Sequence, residues 1–226
     1  MENTLANKGR LRAVIFDFDG TLARPALDFT LMKRRIADLA GRFLSGRVEP
    51  GPLPALEWIE SLAESMGADA SRDFRSRSQA VIENMESEAA ARTSLFDFTR
   101  PTLERLRRLG AAPAVITRNS RRSLTTVFPD AERYLALVLA REDVPDVKPD
   151  PGHLLAALAA LGATPGQAMM VGDHPLDVLT ARRAGTYAAA VASGGTPLPE
   201  LERATPDLLA RDVGELMALL ERDGWV

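Results

Sequence analysis

The chain has 226 residues, of which 46% are hydrophobic and 26% charged, and its formal net charge at pH 7 is −3. This balance excludes the basic footprint of a nucleic-acid-binding domain, and the absence of cysteine excludes disulfides and thiol catalysis. The first ten residues are polar, and no apolar run approaches the ~18 residues of a membrane span. We therefore expect a soluble, cytoplasmic protein that binds neither nucleic acid nor membrane.

The first predicted strand, residues 13–16, leads into the most informative segment of the chain, VIFDFDGTL. Asp17 and Asp19 follow the strand, and residues i and i+2 of a strand point to the same side, so we expect neighbouring carboxylates at its carboxyl end. Such a pair repels unless a cation lies between the two groups. Gly20 permits the tight turn and close backbone approach that a phosphate-sized anion needs. The alternative is an acidic turn with no chemistry.

The next segment, residues 27–88, has no strand-like alternation. Its pattern predicts three helices, over 29–44, 55–66 and 71–88. A helical insertion after the first strand of a sheet is the simplest account. We therefore predict a core domain made of residues 1–24 and 96–226, and a helical domain of residues 25–95.

The rest of the chain alternates short apolar runs with helical patterns. Strands are predicted over 114–116, 137–140, 169–171 and 187–191, and helices over 120–127, 153–161, 176–184 and 213–221. This alternation predicts an α/β fold in which a parallel sheet carries helices on both faces. Such sheets bind ligands beyond the carboxyl ends of their strands.

Two of these strand ends carry polar residues that suit an anion. Thr117, Arg118 and Asn119 follow the second strand, where a hydroxyl and backbone amides at a helix start could hold an anion or merely cap the helix. Lys148 follows the third strand in a loop containing prolines, which restrict the neighbouring backbone and could hold the lysine in place. A solvated loop lysine is the alternative.

The fourth strand is followed by two further carboxylates. Asp173 and Asp177 bracket a predicted helix start at Pro175, where negative charge is favourable. Capping could explain one of them, but it does not easily explain both together with Asp17 and Asp19. A cluster of hard oxygen ligands suits Mg²⁺.

Together the four segments resemble the haloacid dehalogenase superfamily, specifically its phosphatases similar to phosphoglycolate phosphatase. VIFDFDGTL looks like the first motif, VITRN the second, VKPDP the third and VGDHPLD the fourth, in the family's order. The resemblance implies a Rossmann-like sheet with a helical cap domain between the first two motifs, where residues 25–95 lie. In one departure, Arg118 separates the second-motif threonine from Asn119. Either the Arg118 side chain points away and its backbone amide serves, or its guanidinium joins the site.

The resemblance also implies a role for each matching residue. Asp17 would attack phosphorus and form an aspartyl-phosphate, and Asp19 would protonate the leaving oxygen and then activate water. The phosphate would be held by the residues that follow the second and third strands, namely Thr117, Arg118, Asn119 and Lys148.

The implied cofactor is Mg²⁺. It would be held by a carboxylate oxygen of Asp17, the main-chain carbonyl of Asp19, and Asp173, while Asp177 would act on water around the metal or through Lys148. The substrate would be a small, phosphoglycolate-like phosphorylated metabolite, and the chain a monomer or a homodimer. Basic residues of the inserted helices could hold a second anionic group or merely face water: Lys33, Arg34, Arg35, Arg72, Arg75 and Arg77.

Other activities of the same fold remain as alternatives. A dehalogenase would normally lack a carboxylate at position 19. A sugar-phosphate mutase of this kind would use a cap histidine, but His153 and His174 both lie outside the predicted cap. A pyrophosphatase and a non-catalytic binding module stay open, although the set of Asp17, Asp19, Lys148 and Asp173 weighs against the latter.

Overall fold

A computed structural model describes residues 10–226; residues 1–9, and with them most of the polar amino-terminal segment, lie outside the described residues. The chain forms two compact units. One comprises the described residues up to Pro25 together with Thr93–Val226, and the other comprises Ala26–Arg92.

The elements alternate in the larger unit and are all helical in the smaller one. In chain order the strands are β1 (Ala13–Phe16), β2 (Ala112–Ile116), β3 (Leu137–Leu139), β4 (Ala168–Gly172), β5 (Tyr187–Val191) and β6 (Leu208–Ala210). The helices are α1 (Phe29–Ala40), α2 (Ala55–Ala63), α3 (Ala68–Ala90), α4 (Thr99–Arg108), α5 (Arg121–Val127), α6 (Pro151–Leu161), α7 (Pro175–Ala184), α8 (Leu198–Arg203) and α9 (Val213–Arg222).

The six strands form one parallel sheet in the order β3-β2-β1-β4-β5-β6. This is the strand order of the Rossmann fold, in which the chain reverses direction across the sheet beside the first strand. Ile15 of β1 pairs with Ala114 on one side and with Met170 on the other. The predicted fold class, a Rossmann-like parallel sheet with an inserted helical domain, is confirmed.

Both faces of the sheet are covered by helices, so the central strands are apolar throughout. Val14 and Phe16 pack in a cluster that includes side chains of α4, α5 and α9. Ala13 and Ile15 point to the opposite face, where α6, α7 and α8 contribute the packing. The sheet is therefore buried on two sides, and its carboxyl edge is the place where polar side chains meet.

Three elements of this unit are not among those predicted from the sequence. The strand β6 is only three residues long. The helices α4 and α8 are mainly polar, and α8 has only six residues. In α4 the buried residues Leu103 and Leu106 lie three positions apart, which is the spacing of an amphipathic helix.

The smaller unit consists of α1, α2 and α3 around its own apolar cluster, which includes Ile36, Trp58 and Phe74. The Asp28 side chain accepts a hydrogen bond from the Leu31 amide at 2.8 Å and so caps α1. The first helix ends at Ala40 rather than at residue 44, and α3 begins at Ala68, three residues before the predicted start. Among the described residues, no helix combines the length and the apolarity needed to cross a membrane.

Candidate active site

The topology places polar residues at adjacent strand ends. Asp17 follows β1, and its amide donates to the Val171 carbonyl of β4 at 2.8 Å. Thr117 follows β2, and its amide donates to the Leu139 carbonyl of β3 at 3.0 Å. Because β1 lies between β2 and β4, the residues that follow these three strands converge on one edge.

Three carboxylates form a compact acidic group at this edge. One oxygen each from Asp17, Asp173 and Asp177 lies within 4.8 Å of the other two. Asp177 lies in the first turn of α7, where it accepts a hydrogen bond from the His174 amide at 3.2 Å. A Cβ atom at Gly172 would lie only 2.1 Å from Asp177 Cγ, so the close approach of the helix start to the strand requires glycine there.

Lys148 joins two of these carboxylates. Its Nζ donates to Asp17 Oδ1 and to Asp177 Oδ1, each at 2.6 Å, and its side chain is only 3% exposed. Burial by itself lowers the pKa of Lys148, but the attraction of the two carboxylates outweighs it and raises the pKa. Burial raises the pKa of Asp17, the Lys148 ammonium opposes that effect, and Asp177 adds to it. Lys148 is therefore a fixed cation within the acidic group.

Asp173 is the carboxylate that Lys148 does not bridge. Its Oδ1 accepts a hydrogen bond from the Thr21 hydroxyl at 3.4 Å. Burial, followed by repulsion from Asp17 and Asp177, raises the pKa of Asp173 to about 8. A carboxylate in this position binds either a proton or a cation at neutral pH. The three oxygen donors fit a hard divalent cation, whose positive charge compensates the clustered negative charge.

The carboxylate of Asp19 is held by the segment that follows β2. Asn119 Nδ2 donates to Asp19 Oδ2 at 3.0 Å. The strand ends at Phe16, and the following residues form a turn in which the Phe18 carbonyl accepts from the amides of Leu22 and others. Strict strand alternation does not persist through this turn. The three carboxylates that form the acidic group are therefore those of Asp17, Asp173 and Asp177.

The residues after β2 are held by one another and by the Lys148 loop. The buried Thr117 hydroxyl accepts a hydrogen bond from the Asn119 amide at 3.0 Å. The Arg118 guanidinium donates through Nη1 to the backbone carbonyl of Lys148. Of the two alternatives for Arg118, a side chain that points away or a guanidinium that joins the site, the observed contact is between the guanidinium and the Lys148 backbone.

The structure also adds a residue that received no role from the sequence. His153, in α6, is fully buried, and its two ring nitrogens contact the Lys148 amide and the Leu139 carbonyl. Burial and the nearby Lys148 lower the pKa of His153 to about 4. Its place five residues after Lys148 was visible in the sequence, but its burial was not. His174, by contrast, caps the start of α7 through Nδ1, as its position beside Pro175 suggests.

In the smaller unit, the three arginines of α3 are paired with acids of the same unit. Arg72 contacts Asp69, Arg75 contacts Glu60 and Arg77 contacts Asp73. These pairs are exposed, which is the arrangement expected of helix faces in contact with water.

A Rossmann-ordered sheet with a lysine-bridged acidic group at its carboxyl edge defines an α/β enzyme core. Residues 11–185 match the family model described as haloacid dehalogenase-like hydrolase, and the chain belongs to this family. It is 29% identical to phosphoglycolate phosphatase 1 of Pseudomonas aeruginosa over 204 residues, which cover 84% of this chain and 73% of that protein.

Two further matches agree with this assignment. The chain is 31% identical to a pyrophosphatase of Bacillus cereus over 121 residues, 53% of this chain and 56% of that protein. The crystal structure of a haloacid dehalogenase-like hydrolase of Bacteroides fragilis superimposes with a TM-score of 0.69 at 25% identity, covering 92% of this chain and all of that one. The predicted enzyme class, a phosphatase-like hydrolase of this superfamily, is confirmed by these matches.

Proposed function

We propose that this hydrolase is a Mg²⁺-dependent phosphatase that cleaves a small phosphorylated metabolite through an aspartyl-phosphate on Asp17. One observation carries the proposal. The Lys148 ammonium lies 2.6 Å from Asp17 and from Asp177 in a partly buried group that also includes Asp173. Phosphoryl transfer depends chiefly on positioning and on compensation of charge, and this arrangement supplies both.

The metal would be held by the carboxylates of Asp17 and Asp173, with the main-chain carbonyl of Asp19 as the family resemblance implies. Asp177, which is already bonded to Lys148 and to the His174 amide, would orient the lysine. When bound, Mg²⁺ would neutralise part of the negative charge that an anionic substrate meets in this site.

The chemical steps are assigned to two aspartates. The Asp17 carboxylate attacks phosphorus while the bond between phosphorus and the leaving oxygen breaks, and protonated Asp19 transfers its proton to that oxygen. Asp19, now ionised, then takes a proton from water; the water oxygen attacks phosphorus and releases Asp17 and inorganic phosphate. The hydrogen bond from Asn119 holds Asp19 for both proton transfers.

The phosphate is bound by groups that follow β2 and β3. The Thr117 hydroxyl is assigned to one phosphoryl oxygen, together with backbone amides of the loop before α5. The Lys148 ammonium is assigned to a second oxygen, where it offsets the repulsion between the substrate and the carboxylates. The Arg118 and Asn119 side chains, which contact the Lys148 backbone and Asp19, support these groups rather than bind the phosphate directly.

The test compares turnover of a generic aryl phosphate by the purified chain with EDTA and after addition of excess Mg²⁺. EDTA is expected to abolish turnover and Mg²⁺ to restore it; equal rates under both conditions contradict the metal dependence. Asp17→Asn is expected to abolish turnover and the acid-stable phosphoenzyme, while the exposed Asp146→Asn serves as the matched control. Wild-type activity in Asp17→Asn contradicts the mechanism.

We assign the choice of substrate to the helical unit, Ala26–Arg92. Phosphoglycolate is the first candidate because the Pseudomonas aeruginosa relative is named for it, and pyrophosphate is the second because of the Bacillus cereus relative. A panel containing both compounds and several sugar phosphates, ranked by kcat/KM, decides between them. Conversion of a sugar phosphate into its isomer without release of phosphate would instead indicate a mutase.

Removal of the helical unit tests its role. The Arg24 amide donates to the Ser94 carbonyl at 2.9 Å, and Ala23 pairs with Leu95, so a short glycine linker can replace residues 26–92. The unit has its own apolar cluster, and its deletion is therefore expected to leave the sheet folded. We expect the truncated chain to lose discrimination between substrates; unchanged ratios of kcat/KM contradict this role.

A further inference from the structure

We propose that Arg118 and His153 are positioning residues that hold the backbone of Lys148 from its two sides and so keep its ammonium against Asp17. The inference rests on the proposed function, in which Lys148 compensates charge at the nucleophile. It assigns a role to a histidine outside the four motifs and a different role to the arginine that interrupts the second motif.

The amide side of Lys148 is held by His153. The Lys148 N–H donates to His153 Nδ1 at 3.4 Å, and His153 Nε2 lies 3.2 Å from the Leu139 carbonyl at the end of β3. With the proton on Nε2, the neutral ring donates to Leu139 and accepts from Lys148 at the same time. The low pKa of His153 keeps the ring in this neutral form at pH 7. The histidine thus ties the lysine loop to the sheet.

The carbonyl side of Lys148 is held by Arg118. The Arg118 guanidinium donates to the Lys148 carbonyl oxygen, and the backbone carbonyl of Arg118 accepts a hydrogen bond from Arg141 Nη1 at 2.9 Å. The Arg141 amide in turn donates to the Asn119 carbonyl at 3.2 Å. Arg118 is therefore fixed to the segment after β3 as well as to β2, and it links the second motif to the third.

A lysine needs such support because its side chain is long and flexible. Four rotatable bonds separate its backbone from Nζ, and fixing all four in one conformation costs rotamer entropy. Nζ must nevertheless lie between two carboxylates, at 2.6 Å from each. Holding both backbone polar groups removes motion at the base of the side chain. We expect loss of either contact to loosen Nζ without removing its charge.

The kinetic test is a double-mutant cycle with Lys148→Ala. Arg118→Met and His153→Leu are each expected to lower kcat/KM about 10-fold in the wild-type chain and less than about 2-fold when Lys148 is already alanine. Arg118→Lys and His153→Asn, which retain a donor and an acceptor respectively, are expected to restore part of the loss. Arg183→Met is the matched control, because Arg183 donates to the next carbonyl of the same loop, that of Pro149, at 3.1 Å but is exposed.

A second readout does not require turnover. The chain has only three lysines, Lys8, Lys33 and Lys148, so acetylation of each can be followed by mass spectrometry. Lys148 is buried and is expected to react slowly relative to Lys33 in the wild type. Its relative rate is expected to rise about 5-fold or more in Arg118→Met and in His153→Leu, because a freed side chain reaches solvent, and to rise less in His153→Asn, which retains an acceptor for the Lys148 amide. Arg183→Met is expected to leave the rate unchanged.

The outcomes separate the two proposals. Unchanged kinetics and unchanged Lys148 acetylation in the Arg118 and His153 variants overturn the positioning role. The role is also overturned if these variants lower kcat/KM as much in the Lys148→Ala background as in the wild-type chain. If Lys148→Ala is as active as the wild type, or the wild type hydrolyses no phosphate ester, the proposed function fails. The acetylation rates then still decide whether the two residues hold the lysine. Because Arg118 is only partly buried, its variants keep the test decisive if the histidine variants fold poorly.

Discussion

Replacing Asp173 with asparagine is expected to stabilise the metal-free protein although it removes a proposed metal ligand. Burial, followed by repulsion from Asp17 and Asp177, raises the pKa of this carboxyl from 3.8 to about 8 in the folded state. Between these two pH values the folded protein holds a proton that the unfolded chain has released. The free energy of unfolding of the metal-free wild type therefore falls as the pH rises from about 4 to about 8.

The size of the effect follows from the same shift. A pH of 7 is about three units above the pKa of this carboxyl in the unfolded chain. At about 1.36 kcal/mol for each unit, the folded state is disfavoured by roughly 4 kcal/mol. Asparagine carries no charge in either state and removes this penalty. For a chain of this size, roughly 4 kcal/mol corresponds to a rise of about 8–16 °C in Tm.

The assay is thermal unfolding in EDTA at several pH values between 4.5 and 8, followed by circular dichroism. We expect the Tm of Asp173→Asn to exceed that of the wild type by a margin that grows with pH. Added Mg²⁺ should raise the Tm of the wild type but that of the variant much less, because ligand stabilises only the state that binds it. Asp130→Asn is the control. Hydrogen bonding by Arg100 lowers the pKa of Asp130, so removing this carboxylate cannot stabilise the protein in the same way. A wild-type Tm independent of pH in this range, with no gain in Asp173→Asn, would refute the reasoning.

Three further predictions concern individual contacts. Lys148→Ala leaves two buried carboxylates uncompensated, which costs about 3–5 kcal/mol of stability, and should lower kcat/KM by about 10²–10³-fold. Lys148→Arg should recover only part of the activity, because it restores the charge but the guanidinium differs in shape from an ammonium. Kinetics equal to the wild type in Lys148→Ala would show a loop lysine with no part in the site. Gly194→Ala places a Cβ atom 1.7 Å from Asp173 Oδ2, so the Asp173 carboxylate must shift. The affinity for Mg²⁺, measured by calorimetry, should then fall at least about 10-fold. Gly195→Ala, whose Cβ meets nothing within 4 Å, should bind Mg²⁺ normally. Asn119→Ala removes one hydrogen bond to the carboxylate of Asp19 and should lower kcat about 10-fold with little change in KM and a shifted pH–rate profile. An unaltered profile would contradict the positioning role of Asn119.

Much of the fold can be predicted from local patterns in the sequence. The apolar runs that form β1, β2, β4 and β5 are buried on both faces, so they are uninterrupted and easily recognised. Gly162 and Gly185 end α6 and α7 in the left-handed conformation, with φ of 62° and 74°, which other residues adopt only with strain. The shortest elements, β6 with three residues and α8 with six, are too short for a local pattern to indicate, and packing against the rest of the fold stabilises them.

The sequence by itself determined which polar residues follow each strand, because a buried apolar run ends where the chain reaches the edge of the sheet. Asp17, Lys148 and Asp173 could be associated for that reason. Only the tertiary structure decided which groups touch. Asp177 joins the acidic group while the Asp19 carboxylate turns to Asn119, and these directions depend on turns and on neighbours more than 20 residues away in the chain. A side chain's direction beyond the end of a strand is set by the packing of distant segments, which no local pattern records.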